Sequence, residues 1–113
     1  MFNYRKLEEN DVHYVELGFL DLASGERMFL EIGDNKIVIF NIAGELYAIG
    51  DICTHDDGPL GDGILDGFHI VCPRHGAEFD VRTGKAVQLP AVIDIPAYPL
   101  KKSDNQYLIG IPK

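Results

Sequence analysis

The chain has 113 residues, 46% hydrophobic and 25% charged, with a formal net charge of −8. This length supports one domain with one core, and the acidic balance excludes a nucleic-acid surface, which needs clustered positive charge. No apolar run approaches the roughly 20 residues of a membrane helix, and the acids after Met1-Phe2-Asn3-Tyr4-Arg5-Lys6 do not read as a signal peptide, so a soluble cytoplasmic protein is expected.

Residues 1–13 are polar and without a clear period, and His13 among them reads as a surface histidine. A strand can begin over Tyr14 to Leu20, and Ala23-Ser24-Gly25-Glu26 is a turn signal. Arg27 to Ile32 alternates imperfectly, and Gly33-Asp34-Asn35 suits the positive φ values of a hairpin turn. Lys36 to Ile42 is β-branched and nearly all apolar; so short a run, bounded by turns, predicts a buried strand. Ala43-Gly44 turns the chain into Glu45 to Ile49, where Leu46, Ala48 and Tyr47 are expected to cover the core.

Gly63 to Gly67 reads as a tight bend, and Phe68 to Cys72 as a strand. Alternation puts Phe68 and Ile70 on one face and His69 and Val71 on the other, with His69 structural. Short strands follow at Glu78 to Val81, Lys85 to Leu89, Ile93 to Lys102 and Gln106 to Ile111. Pro96 and Pro99 keep the third of these at an edge or make it irregular. Strand pairs separated by Gly-rich turns, without a convincing helix, predict an all-β sandwich or barrel.

The chemistry lies between Cys53 and His75. The stretch opens Cys53-Thr54-His55 and closes Cys72-Pro73-Arg74-His75-Gly76, with sixteen residues between His55 and Cys72. Each end offers one thiolate and one imidazole, so four soft or borderline ligands on two short loops suggest a metal site. Structural zinc sites usually pair cysteine with cysteine or histidine with histidine, which mixed pairs fit poorly. A disulfide between Cys53 and Cys72 leaves the histidine spacing unexplained and is uncommon in the cytosol.

The motif strongly resembles the Rieske family, most of all the small soluble Rieske ferredoxins that feed electrons to ring-hydroxylating oxygenases, from about Tyr14 to the C-terminus. This implies a Rieske-like antiparallel β-sandwich over residues 14–113, with a cluster-binding subdomain at its tip and residues 1–13 as an N-terminal extension. It also implies one [2Fe–2S] cluster, with Cys53 and Cys72 on one iron and His55 and His75 on the other. Glycines 58, 61, 63 and 76 fit loops that bend sharply and aim N–H groups at sulfide, and Gly61 and Gly63 read equally as simple turn glycines. Leu89-Pro90-Ala91 stands where the family has a third loop.

Departures sharpen the resemblance. High-potential Rieske proteins carry a disulfide between the loops; the matching positions are Gly58 and Arg74. Their serine and tyrosine hydroxyls beside the cluster correspond to Ala77 and Phe79. With fewer donors, and with Asp56, Asp57 and Glu78 nearby, the potential is expected toward the low end of the Rieske range of about −150 to +300 mV. The expectation is a one-electron carrier between an NAD(P)H-dependent ferredoxin reductase and a terminal oxygenase, with no substrate-transforming site. The alternatives are the small Rieske subunit of an assimilatory nitrite reductase, a Rieske oxygenase in its own right, for which the chain is too short, and a zinc-binding module.

Overall fold

Eleven short strands form the regular structure of the computed structural model, which describes residues 11–54, 58–74, 76–89 and 93–113. They are β1 (Val12–Gly18), β2 (Arg27–Ile32), β3 (Asn35–Ile42), β4 (Glu45–Gly50), β5 (Ile64–Asp66), β6 (His69–Val71), β7 (Glu78–Asp80), β8 (Ala86–Gln88), β9 (Ala97–Tyr98), β10 (Leu100–Ser103) and β11 (Gln106–Pro112). They build three antiparallel sheets, ordered β1-β11-β10, β2-β3-β4-β9 and β5-β6-β7-β8. The expected all-β architecture is therefore observed, with no α-helix among the described residues.

The sheet containing β3 lies between two cores. Ile37, Ile39 and Ala48 join Tyr98, Ile109 and Ile111 in one core, shared with the β1-β11-β10 sheet. Val38, Phe40 and Ile49 join Ile70, Cys72, Phe79 and Cys53 in the other. This explains the unbroken apolar run of β3: alternate residues point to opposite faces, and both faces are covered. It also corrects the reading of β4. Leu46 packs with the first core and Tyr47 with the second, so the strand serves both rather than one. The buried Asn41 is satisfied, its side-chain amide donating to the Leu22 carbonyl at 2.6 Å and its Oδ1 accepting from Gly44 N–H at 2.9 Å.

Boundaries differ from expectation in three places. Val12 and His13 belong to β1, where they pair with Pro112 and Ile111, and Val12 is buried. The bend read at 63–67 contains β5, which pairs with β6 through a two-residue turn at Gly67-Phe68; three residues are too few to show a period. The run Ile93 to Lys102 contains two strands, β9 and β10, parted at Pro99, which has no N–H for a ladder.

Candidate metal centre

Two loops carry the predicted ligands, one between β4 and β5 and one between β6 and β7. They close in the same way. The Cys53 N–H donates to the Gly58 carbonyl at 2.7 Å, and the Cys72 N–H donates to the Ala77 carbonyl at 2.7 Å. In each case the acceptor stands five residues after the cysteine. Cys53 and Cys72 are buried, at 0% and 2% exposure, and neither is half of a disulfide. The bridge considered from the sequence is thus not formed. His55 and His75 lie outside the described residues, as do Asp56, Asp57, Pro90, Ala91 and Val92. Along the chain, each histidine falls between its cysteine and the carbonyl that closes the loop.

Three residues that the sequence did not single out hold the first loop. The Asp51 carboxylate accepts from Leu60 N–H at 3.0 Å and Gly61 N–H at 2.6 Å, folding the chain back on itself. From β2, Arg27 donates through Nη1 to the carbonyls of Gly61 and, at 2.7 Å, Gly63, with its guanidinium 5.1 Å from the centre of the Phe40 ring. An anion thus meets the donors of this segment and a cation its acceptors, while the fully buried Leu60 side chain enters the core. The Thr54 hydroxyl donates to the Ile93 carbonyl, tying the first loop to the chain beyond the third. Asp51 offered one signal, an acid at the end of an apolar strand and two residues before a ligand cysteine.

Three of the loop glycines have their N–H groups held within the protein. Gly61 N–H is bound by Asp51, Gly63 N–H donates to the Leu60 carbonyl at 3.0 Å, and Gly76 N–H donates to the Cys72 carbonyl at 3.2 Å. These three donors have protein acceptors. Gly76 alone of the four has a positive φ, +75°. The other three are glycines because of close approach: an added Cβ would sit 2.6 Å from the Phe29 ring at Gly61, 1.9 Å from the Val71 carbonyl oxygen at Gly63, and 2.7 Å from Arg74 Cζ at Gly58. Gly58 and Arg74, the positions compared with a disulfide, therefore do touch, but without a covalent bond. Ala77 and Phe79 are fully buried.

Two of the acids near the loops face cationic or titratable partners. Glu78 Oε1 lies 3.2 Å from His69 Nδ1. Asp80 accepts from Arg82 Nε at 3.0 Å and Nη2 at 2.8 Å, and Arg82 also lies over the Phe68 ring, 4.2 Å from its centre. The Arg82 side chain holds the Asp80 carboxyl below its ordinary value of 3.8, against an opposing push from burial. A depressed carboxylate stabilises the fold above its unfolded pKa, and this contribution disappears as pH falls through the folded value. Arg82→Gln is therefore expected to lower the urea midpoint at neutral pH, with the gap to wild type closing in acid below 3.8. A gap unchanged into acid would assign the loss to the Phe68 contact instead.

Residues 13–99 match the Rieske [2Fe-2S] domain family. The chain is 38% identical over 89 residues to a ferredoxin component of naphthalene 1,2-dioxygenase/salicylate 5-hydroxylase systems from Ralstonia sp., covering 79% of this chain and 86% of the relative. It is 37% identical over 91 residues to the ferredoxin component of biphenyl 2,3-dioxygenase from Rhodococcus jostii, covering 80% and 85%. Among solved structures, the ferredoxin of carbazole 1,9a-dioxygenase from Nocardioides aromaticivorans superposes with a TM-score of 0.79 at 29% identity, over 88% of this chain and 98% of the other. With two alike loops, two buried cysteines and a three-sheet scaffold matched along most of its length, the chain belongs to the Rieske [2Fe-2S] domain family.

Proposed function

We propose that the protein is a one-electron carrier, a Rieske ferredoxin that passes electrons from an NAD(P)H-dependent reductase to a terminal oxygenase. Residues 14–113 form the carrier domain and the leading residues its extension, of which Val12 and His13 lengthen β1. In this reading Cys53 and Cys72 hold one iron of a single [2Fe–2S] cluster, and His55 and His75 hold the other. The observation that carries it is the pair of identically closed loops, each with a buried cysteine in the same core.

The donor set fits the group. Thiolates stabilise ferric iron, and neutral imidazoles leave the second iron easier to reduce. When bound, the cluster takes up and gives back one electron. The chain supplies the rest: Leu60, Ile70, Phe79 and Ile95 pack with the two cysteines in one core and exclude water from that side. One-electron transfer of this kind needs no general base and transforms no substrate. The named relatives are ferredoxin components of dioxygenase systems, which supports the oxygenase as acceptor. An NAD(P)H-dependent reductase as electron donor supports a cytoplasmic setting. Ala77 and Phe79, which carry no hydroxyl to donate to the cluster, support a low potential, since fewer donors leave the reduced state less stabilised.

Purified anaerobically, the protein is expected to be coloured, to contain iron and acid-labile sulfide in equal amounts, and to give on reduction the EPR signal of a histidine-ligated cluster. A colourless protein with stoichiometric zinc and no labile sulfide would overturn the reading.

A further inference from the structure

Gly58 and Arg74 bring the two ligand loops into contact. Gly58 closes the first loop, its carbonyl accepting the Cys53 N–H at 2.7 Å. Arg74 lies in the second loop, two residues after Cys72 and directly before His75. A Cβ built on Gly58 would stand 2.7 Å from Arg74 Cζ, 2.7 Å from Nη2 and 3.0 Å from Nε. Three atoms of one planar group at nearly one distance mean that the guanidinium lies flat across the glycine. Only a residue without a side chain admits this approach, and φ at Gly58 is not in the left-handed region, so close approach explains the glycine.

We infer that Arg74 is a positioning residue: its guanidinium, laid on Gly58, clasps the two ligand loops and fixes a permanent positive charge beside the electron's site. The inference rests on the function proposed above. Arginine suits both tasks. It stays charged at all working pH values, and its planar face packs on flat surfaces where the lysine ammonium, a compact and strongly hydrated point charge, does not. Reduction adds one negative charge, so a cation held at the joint of the two loops favours the reduced state. Arg74 is exposed, and its seat on Gly58 places the charge over the joint of the two loops.

Two substitutions reach the contact from opposite sides. Arg74→Gln removes the charge and the clasp. Gly58→Ala keeps Arg74 but puts a methyl where the guanidinium lies; the obstacle is the end of a flexible side chain, so the loop folds and the arginine swings away. Redox titration of the loaded protein should show a lower midpoint for both variants, and both should lose the cluster faster under a chelator. The double variant should match Arg74→Gln alone, because both changes break one contact. Arg74→Lys should recover part of the potential and little of the cluster retention. The inference fails if loaded Arg74→Gln keeps the wild-type midpoint and loss rate, or if the double variant shifts by the sum of the singles. If Gly58→Ala does not load, the Arg74→Gln and Arg74→Lys pair decides the same question. A wild-type protein that binds no cluster overturns the functional reading as well, whereas a loaded protein insensitive at Arg74 overturns this inference alone.

Discussion

Gly63→Ala is expected to cost the protein most of its stability and its capacity to hold a cluster. The added Cβ would stand 1.9 Å from the Val71 carbonyl oxygen, 3.0 Å from the Val71 carbonyl carbon and 3.2 Å from the Leu60 carbonyl oxygen. All three neighbours are backbone, so no side chain can rotate to make room. The glycine cannot retreat either, because its carbonyl is held by Arg27 at 2.7 Å and its N–H by Leu60 at 3.0 Å. Val71 ends β6 and precedes Cys72, so the strain is delivered from the first loop directly to the second. Ordinary overpacking costs about 1–3 kcal/mol; a backbone collision of this size belongs with the rare losses above about 4 kcal/mol. Folded domains have only about 5–15 kcal/mol to lose. Urea unfolding of the variant checks it, with Gly67→Ala as the comparison. Gly67 has φ +61° and nothing within 4 Å of an added Cβ, so only the left-handed penalty of about 1–2 kcal/mol applies. Equal losses for the two variants would refute the collision.

Asp51→Ala should rank second. Its carboxylate is the acceptor for two consecutive backbone N–H groups, of Leu60 and Gly61, in a segment that is buried. Leaving a buried donor unsatisfied costs about 1–3 kcal/mol, so removing both bonds is expected to destabilise by about 2–5 kcal/mol. Asp51→Asn keeps an acceptor oxygen and loses only the charge, and should fall between wild type and Asp51→Ala. The loosened segment contains the Gly61 and Gly63 carbonyls that Arg27 grips, so the loss should appear in cluster retention as well as in unfolding. Asp51→Ala and Asp51→Asn unfolding at the wild-type midpoint would show that solvent satisfies these N–H groups and that the loop does not depend on the carboxylate.

The parts of this molecule that were legible in the sequence are those written locally. The turn residues placed β2, β3 and β4 within a residue or two of where they lie, because glycine and β-branched runs act on their own neighbourhood. The paired Cys and His motifs carried the family, which the match over residues 13–99 shows. What was not legible depends on distant partners. Nothing near Arg27 indicates that it grips carbonyls at 61 and 63, and nothing in Gly63 indicates that Val71 presses on it. The run Ile37 to Phe40 showed burial but could not say that two separate cores share it. The loop glycines looked like turn residues because composition does not distinguish a glycine needed for its φ from one needed for its missing Cβ.

The two-sided burial of β3 also bears on how the strand finds its pairing. In a half-exposed strand, slipping by one residue turns every apolar side chain to water, and the alternation itself forbids the slip. Here a slip would exchange one set of apolar side chains for the other, Ile37 and Ile39 for Val38 and Phe40. Hydrophobic pattern therefore cannot set the register of β3. That information has to lie in the turns at its two ends: Gly33 at φ +59°, and Ala43 and Gly44 at +55° and +92°. In two-residue turns such conformations fix which residues face each other, here Ile32 with Asn35 and Ile42 with Glu45. Four strand residues read as core, but the choice of which core each one enters is made by three small residues outside the strand.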